Sequence, residues 1–97
     1  MALLVEAFDF SGKFVKELER LDSGTQTAAR KALALLQSNP NAKSLRLHAL
    51  SGFARPAIWK IDVYSNKSYQ ITFEMAGRVA QLKRIATHAE IDRAPRG

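Results

Sequence analysis

The stretch Arg78 to Arg93, RVAQLKRIATHAEIDR, decides how this chain is read. It has the pattern of a last β-strand, and Arg78, Lys83, Arg84, His88 and Arg93 place five cations or potential cations in and just after it. A strand that ends in a histidine beside arginines is suited to holding a phosphate and moving a proton. Arg84 and His88 share strand parity, but four residues of extended chain separate them by roughly 13 Å. They meet at one phosphate only if the chain bends after Ile85. Leu82 shares that parity too, so one of the two sets must be partly buried, and alternation leaves open which.

Working outward from this strand, the period-two pattern continues upstream. Tyr69, Ile71 and Phe73 alternate with Gln70, Thr72 and Glu74, and Ala76-Gly77 makes the turn that follows. Trp59, Ile61 and Val63 form one face of an earlier strand whose other face carries Lys60, Asp62 and Tyr64, and Ser65-Asn66 is the expected hairpin turn between the two. Leu45, Leu47 and Ala49 alternate with Arg46, His48 and Leu50 as a short strand, and 51–56 is expected to be a loop.

The first forty residues have a different period. Phe10, Phe14, Leu18 and Leu21 make one helical stripe with Ser11 as its N-cap, and Ser23-Gly24-Thr25-Gln26 has the S-x-x-Q form of a capping box. The helix it opens would bury Ala28, Ala29, Ala32, Leu33 and Leu36, and Asn39-Pro40 stops it. Ala2 to Phe8 precedes these as a short strand. The order is therefore β-α-α followed by three or four antiparallel strands, an α+β fold of two layers in which a helical hairpin covers one sheet face. The other face, or its rim, is expected to present Lys60, Asp62, Gln70 and the basic positions of the last strand. The tail from Ala94 is expected to fray.

Composition narrows the function. Ninety-seven residues without cysteine make one domain that has neither a disulfide framework nor a thiolate nucleophile. The apolar run 2–5 is too short for a signal h-region and has no basic residues before it, so a soluble cytoplasmic protein without a membrane span is expected. The net charge of +6 is unevenly placed: residues 1–40 balance five cations with five anions, and residues 41–97 set ten against four. A second half this basic fits a polyanion such as nucleic acid, or an acidic partner protein, and equally a merely solvated surface.

His48 and His88 are the only histidines, and their unperturbed titration lies near neutrality. A ribonuclease that cuts through the RNA 2′-hydroxyl needs a base, an acid and cations for the pentavalent phosphate, and two histidines among arginines and lysines supply all three. Taken singly, His48 reads as well as an ordinary strand histidine, and His88 as a cap or loop residue. Two histidines without a nearby pair of carboxylates are too few ligands for a metal, and no cofactor is implied. Lys60 and Asp62 could face a ligand or form an ordinary ion pair. Arg46 and Lys43 extend the basic surface as phosphate contacts without sequence preference.

The first helix carries F-x-x-x-L-x-x-L (Phe14 to Leu21) and the second is closed by N-P. L-H-A-L-S-G (Leu47 to Gly52), W-K-I-D-V (Trp59 to Val63), Y-Q-I-T-F (Tyr69 to Phe73) and L-K-R-I-A-T-H-A-E-I-D (Leu82 to Asp92) follow. This order resembles the RelE/ParE superfamily of type II toxin–antitoxin toxins over nearly the whole chain, and L-H-A-L-S-G with A-T-H-A looks most like its YafQ-type mRNA interferase branch. The resemblance implies a RelE-like fold in a single toxin domain over 1–97. It implies a metal-independent endoribonuclease acting on mRNA, usually on the ribosome, and silenced by a cognate antitoxin. It implies His48 and His88 as acid/base groups and Arg84 as the phosphate-stabilising cation, with Lys60 on the RNA backbone and Tyr69 at the site margin. Many catalytic relatives have arginine after that tyrosine. This chain has Gln70, which donates a hydrogen bond but cannot neutralise a phosphate, so either Arg84, Lys60 or Lys83 supplies that charge or catalysis is weak. A ParE-like relative that inhibits DNA gyrase without nuclease chemistry, or an inactive binding module, keeps the same fold.

Overall fold

The computed structural model describes residues 3–54, 56–64 and 68–96. Its elements are β1 (Ala7–Phe10), α1 (Gly12–Glu19), α2 (Ser23–Ser38), β2 (His48–Ala54), β3 (Ala57–Asp62), β4 (Tyr69–Ala76), β5 (Val79–Thr87) and α3 (His88–Arg93), with one 3-10 turn at Lys43–Leu45. The five strands form one sheet in the order β1-β5-β4-β3-β2. The expected α+β architecture stands, with the helical hairpin of α1 and α2 against one sheet face. The apolar period-two residues supply that face: Ile61, Ile71, Phe73, Ala80, Leu82 and Ile85 pack with Phe14, Ala29, Leu33 and Leu36. Each large apolar side chain so buried contributes roughly 1.5–3 kcal/mol.

Caps and turns fix the hairpin. The Ser11 hydroxyl accepts from the Phe14 amide at 3.1 Å, as its type predicts. The second helix is capped one residue earlier than S-x-x-Q suggests. Asp22 accepts from the Thr25 amide at 3.1 Å and from its hydroxyl at 2.7 Å. The expected capping partner Gln26 instead turns back, and its amide donates to the carbonyls of Leu18 (3.0 Å) and Leu21 (3.2 Å) at the end of α1, where helix carbonyls run short of intrahelical partners.

Several expectations are corrected. Phe10 belongs to β1 rather than to the first helical stripe, and β1 pairs with β5 in parallel, whereas every other pairing is antiparallel. Leu45 closes the 3-10 turn, and Arg46 after it is left-handed (φ 50°), so the strand expected from Leu45 begins only at His48 and runs through the expected loop to Ala54. The Ala76-Gly77 turn forms as read, with Gly77 at φ 60°. The expected Ser65-Asn66 turn lies outside the described residues.

The parity question in the last strand is settled by a bulge. Thr72 pairs with Arg84 but Phe73 pairs with Leu82, so Lys83 is the extra residue. The bulge puts Leu82 and Arg84 on opposite faces. Leu82 joins the apolar core, and Arg84 joins the second face with Thr72, Lys60 and Gln70.

That second face is not left open. After Thr87 the chain turns into α3, whose Ile91 is fully buried, and the tail crosses β4. Thr72 donates from its hydroxyl to the Pro95 carbonyl at 2.7 Å, and Arg96 pairs with Glu74 and donates to the Pro56 carbonyl. The segment from Ala94 to Arg96 is therefore bound down rather than frayed, because it satisfies polar groups that the sheet would otherwise bury alone. Among the described residues, no helix is long and apolar enough to cross a membrane.

Candidate functional site

Strand register arranges the candidate residues. His48 pairs with Lys60, Lys60 with Thr72, and Thr72 with Arg84, so one row crosses four strands on the second face. The next row is Asp62, Gln70 and Ala86. Directly paired residues in an antiparallel sheet project on the same side. His48 and Arg84 are thus in line but three strand spacings apart, roughly 14 Å.

At the β2 end of the row the residues come together. His48 is exposed on the outermost strand, and its Nδ1 lies 2.6 Å from the Arg46 carbonyl. A carbonyl can only accept, so this ring nitrogen carries its hydrogen and the neutral imidazole keeps a bare lone pair on Nε2. Arg46 itself reaches Asp62, with Nε 3.4 Å from Oδ2. Asp62 is in turn held by the Gln70 amide, which donates to Oδ1 at 2.9 Å. Gln70 is 2% exposed and Asp62 3%. Asp62 Oδ2 and Gln70 Oε1 are buried without a hydrogen bond, the Arg46 contact falling outside hydrogen-bond geometry. Lys60, 6% exposed and directly across from His48, has no hydrogen bond or ion pair among the described residues. A base and two cations thus share one patch, with Gln70 and Asp62 as an internal support.

At the β5 end the cations have partners. The Arg84 guanidinium donates to both Glu17 carboxylate oxygens (3.3 and 3.2 Å from Nε, 2.6 Å from Nη2) and to the carbonyls of Glu90 and Ala94 at 3.3 and 2.9 Å. Its affinity for a proton is raised, first by the Glu17 hydrogen bond. Glu17 also accepts from the Ile85 amide at 3.3 Å, where β1 has ended and β5 would otherwise show a bare edge. Lys83 lies 3.8 Å from Glu74. Of the three cations proposed from sequence as substitutes for the missing arginine, Arg84 and Lys83 are thus already paired within the fold, and Lys60 is not.

His88 is the first residue of α3, half exposed, with Nδ1 3.2 Å from Asp92 Oδ2 one helical turn on, an ion pair when the ring is protonated. The cap before it is complete: Thr87 accepts from the Glu90 amide and the Glu90 carboxylate returns to Thr87, which holds that carboxyl below the usual glutamate range. Tyr69 pairs with Thr87 and lines a hollow beside Arg20, Ile85 and Glu90, on the α1 side of the sheet rather than beside His48. Among the described residues, no group of three His, Asp or Glu side chains is placed to share a metal ion.

Sequence reasoning named Arg46 only as an undirected phosphate contact. Its left-handed backbone and its link through Asp62 to Gln70 cannot be seen in a pattern of alternation. No sequence signal marked it, since Leu45, Arg46, Leu47 and His48 alternate without a break.

The five-stranded sheet, the hairpin on one face and the C-terminal helix on the other define the RelE-like toxin fold. The chain superposes on YafQ from E. coli strain BL21(DE3) with a TM-score of 0.70 at 16% identity, covering 87% of this chain and 94% of that one. The E. coli DinJ-YafQ toxin-antitoxin complex gives 0.68 at 16% identity over 92% and 98%. The archaeal RelE-RelB complex from Pyrococcus horikoshii OT3 gives 0.66 at 12% identity over 90% and 96%. No family model and no curated protein sequence matches the chain.

Proposed function

We propose that this chain is the toxin of a type II toxin–antitoxin pair, a single catalytic domain that cuts mRNA in the cytoplasm and is held silent by a cognate antitoxin. The fold supports the class, since its solved neighbours are toxins, one of them in complex with the antitoxin DinJ. The observation that carries the chemistry is the bond between His48 Nδ1 and the Arg46 carbonyl, which fixes Nε2 as the free base beside Lys60 and the Arg46 guanidinium.

In the reaction, His48 Nε2 takes the proton of the ribose 2′-hydroxyl. The 2′-oxygen attacks the adjacent phosphorus, Arg46 and Lys60 stabilise the charge on the pentavalent phosphate, and the bond to the 5′-oxygen breaks. The leaving 5′-oxygen takes its proton from water, since His88 follows Thr87 at the β5 end, more than three strand spacings from His48, and does not reach the same phosphate. The products are a 2′,3′-cyclic phosphate and a 5′-hydroxyl. Arg84 orders the base of α3, and Gln70 acts through Asp62 to hold Arg46.

The test is cleavage of a defined mRNA by the purified chain, alone and with ribosomes, with the new ends mapped. Cyclic phosphate ends are expected, with a loss of about a hundredfold or more for His48→Ala and a melting curve close to wild type. Wild-type activity in the His48→Ala variant would end the mechanism. RNA left intact while DNA replication stalls would move the reading to a ParE-like gyrase inhibitor.

A further inference from the structure

The half of the chain whose charges balance in sequence does not balance in space. Lys13, Lys16 and Arg20 recur at i, i+3 and i+7 on α1 and its C-cap, within about 10 Å along the axis. They line one wall of a cleft of about 600 Å³ whose floor includes Arg84 and whose far side is Glu90 of α3. All three are exposed, and among the described residues none has a side-chain hydrogen bond or ion pair. The two carboxylates in the cleft are both engaged: Glu17 is bound to Arg84 and the Ile85 amide, and Glu90 to Thr87. With Arg84 and both carboxylates counted, four cations face two anions and the cleft keeps a net charge of +2. Sharing Arg20, Glu17 and Glu90 with the cleft is the hollow of about 170 Å³ lined by Tyr69.

We propose that this cleft between α1 and α3 is a second RNA contact, a track for the phosphate backbone of a single strand, with the Tyr69 ring at its end as a stacking surface for one base. It rests on the RNA reading given above and lies apart from the His48 patch. A row of cations leading to an aromatic ring matches the way proteins hold single strands without reading sequence. An acidic peptide is the competing occupant, but peptide interfaces depend on a buried apolar or aromatic anchor, and the walls of the cleft are polar along the lysine row.

The contact is read by anisotropy with a labelled 2′-O-methyl oligoribonucleotide, which binds but cannot be cut through its 2′-oxygen, so binding is separated from catalysis. The full-length chain carrying Lys13→Ala, Lys16→Ala and Arg20→Ala together is expected to bind more weakly. The slope of log affinity against log salt should be shallower by about 2, three phosphates at ~0.7 each. His48→Ala should keep the wild-type slope even though it stops cleavage, so failure of the nuclease mechanism and failure of the cleft give different results. The swap Lys13→Arg, Lys16→Arg and Arg20→Lys should restore the slope, which a fold defect at these positions would not allow. An unchanged slope in the alanine variant overturns the proposal. So does a variant that keeps RNA binding but loses binding of a polyglutamate peptide, because the cleft then belongs to an acidic chain.

Discussion

Arg46 and Arg84 sit at opposite ends of the same face of the sheet, and their surroundings give them opposite roles. Arg84 is 8% exposed and joins α1, β5 and α3 through Glu17 and two carbonyls. Arg46 has a half-exposed side chain, a single ion pair to Asp62 and a strained left-handed backbone. A guanidinium whose donors are satisfied inside the fold is a structural staple. One held from a single side keeps donors for a ligand. Charge alone, which is all the sequence gives, does not separate the two.

Substituting each arginine tests the contrast, and the largest effect falls on stability. Arg84→Ala leaves Glu17 facing β5 without its partner and removes the donors to α3, so unfolding free energy should drop by about 3 kcal/mol in denaturant titration. Cleavage per folded molecule should survive, and a variant that melts like wild type yet cannot cut RNA would reverse the assignment. Arg46→Gly should do the opposite. Glycine relieves a left-handed backbone that costs roughly 1 kcal/mol or more, so the melting temperature should hold or rise, while cleavage falls by about a hundredfold with the loss of the guanidinium.

A smaller effect sharpens the staple end. Thr87→Ala removes the cap of α3 and should cost about 1 kcal/mol. The Thr87 hydrogen bonds depress the Glu90 pKa in the folded chain, so this contribution is present above the ordinary glutamate range and fades as pH falls through the depressed value. In thermal melts across acid pH, wild type should lose stability toward low pH faster than the Thr87→Ala variant. Parallel curves would mean that the cap does not hold α3 in place.

The contrast also marks how far the sequence could be read. The helical stripe from Phe14 to Leu21, the Ser11 cap, the N-P stop, and the alternation in β3 and β4 were all legible, because each depends on residues a few positions apart. Gln26 was misread because Asp22 competes for the same helix start and wins with two hydrogen bonds. His48 and Lys60 were separately visible as candidates. Their pairing on neighbouring strands, with Arg46 tied to Asp62 in the next row, depended on contacts between distant segments.

By itself the sequence determined the two periods, the strand and helix order, and the apolar set that forces a sheet to pack on a helical pair. Burial of apolar surface is short-ranged in its demands, and periodicity records it. Only the tertiary structure decided which cations are free, because that depends on a one-residue bulge at Lys83, on a tail that folds back over β4, and on carboxylates such as Glu17 brought from the far end of the chain. Charges act through space rather than along the sequence, so their roles are fixed only once the fold has set their neighbours.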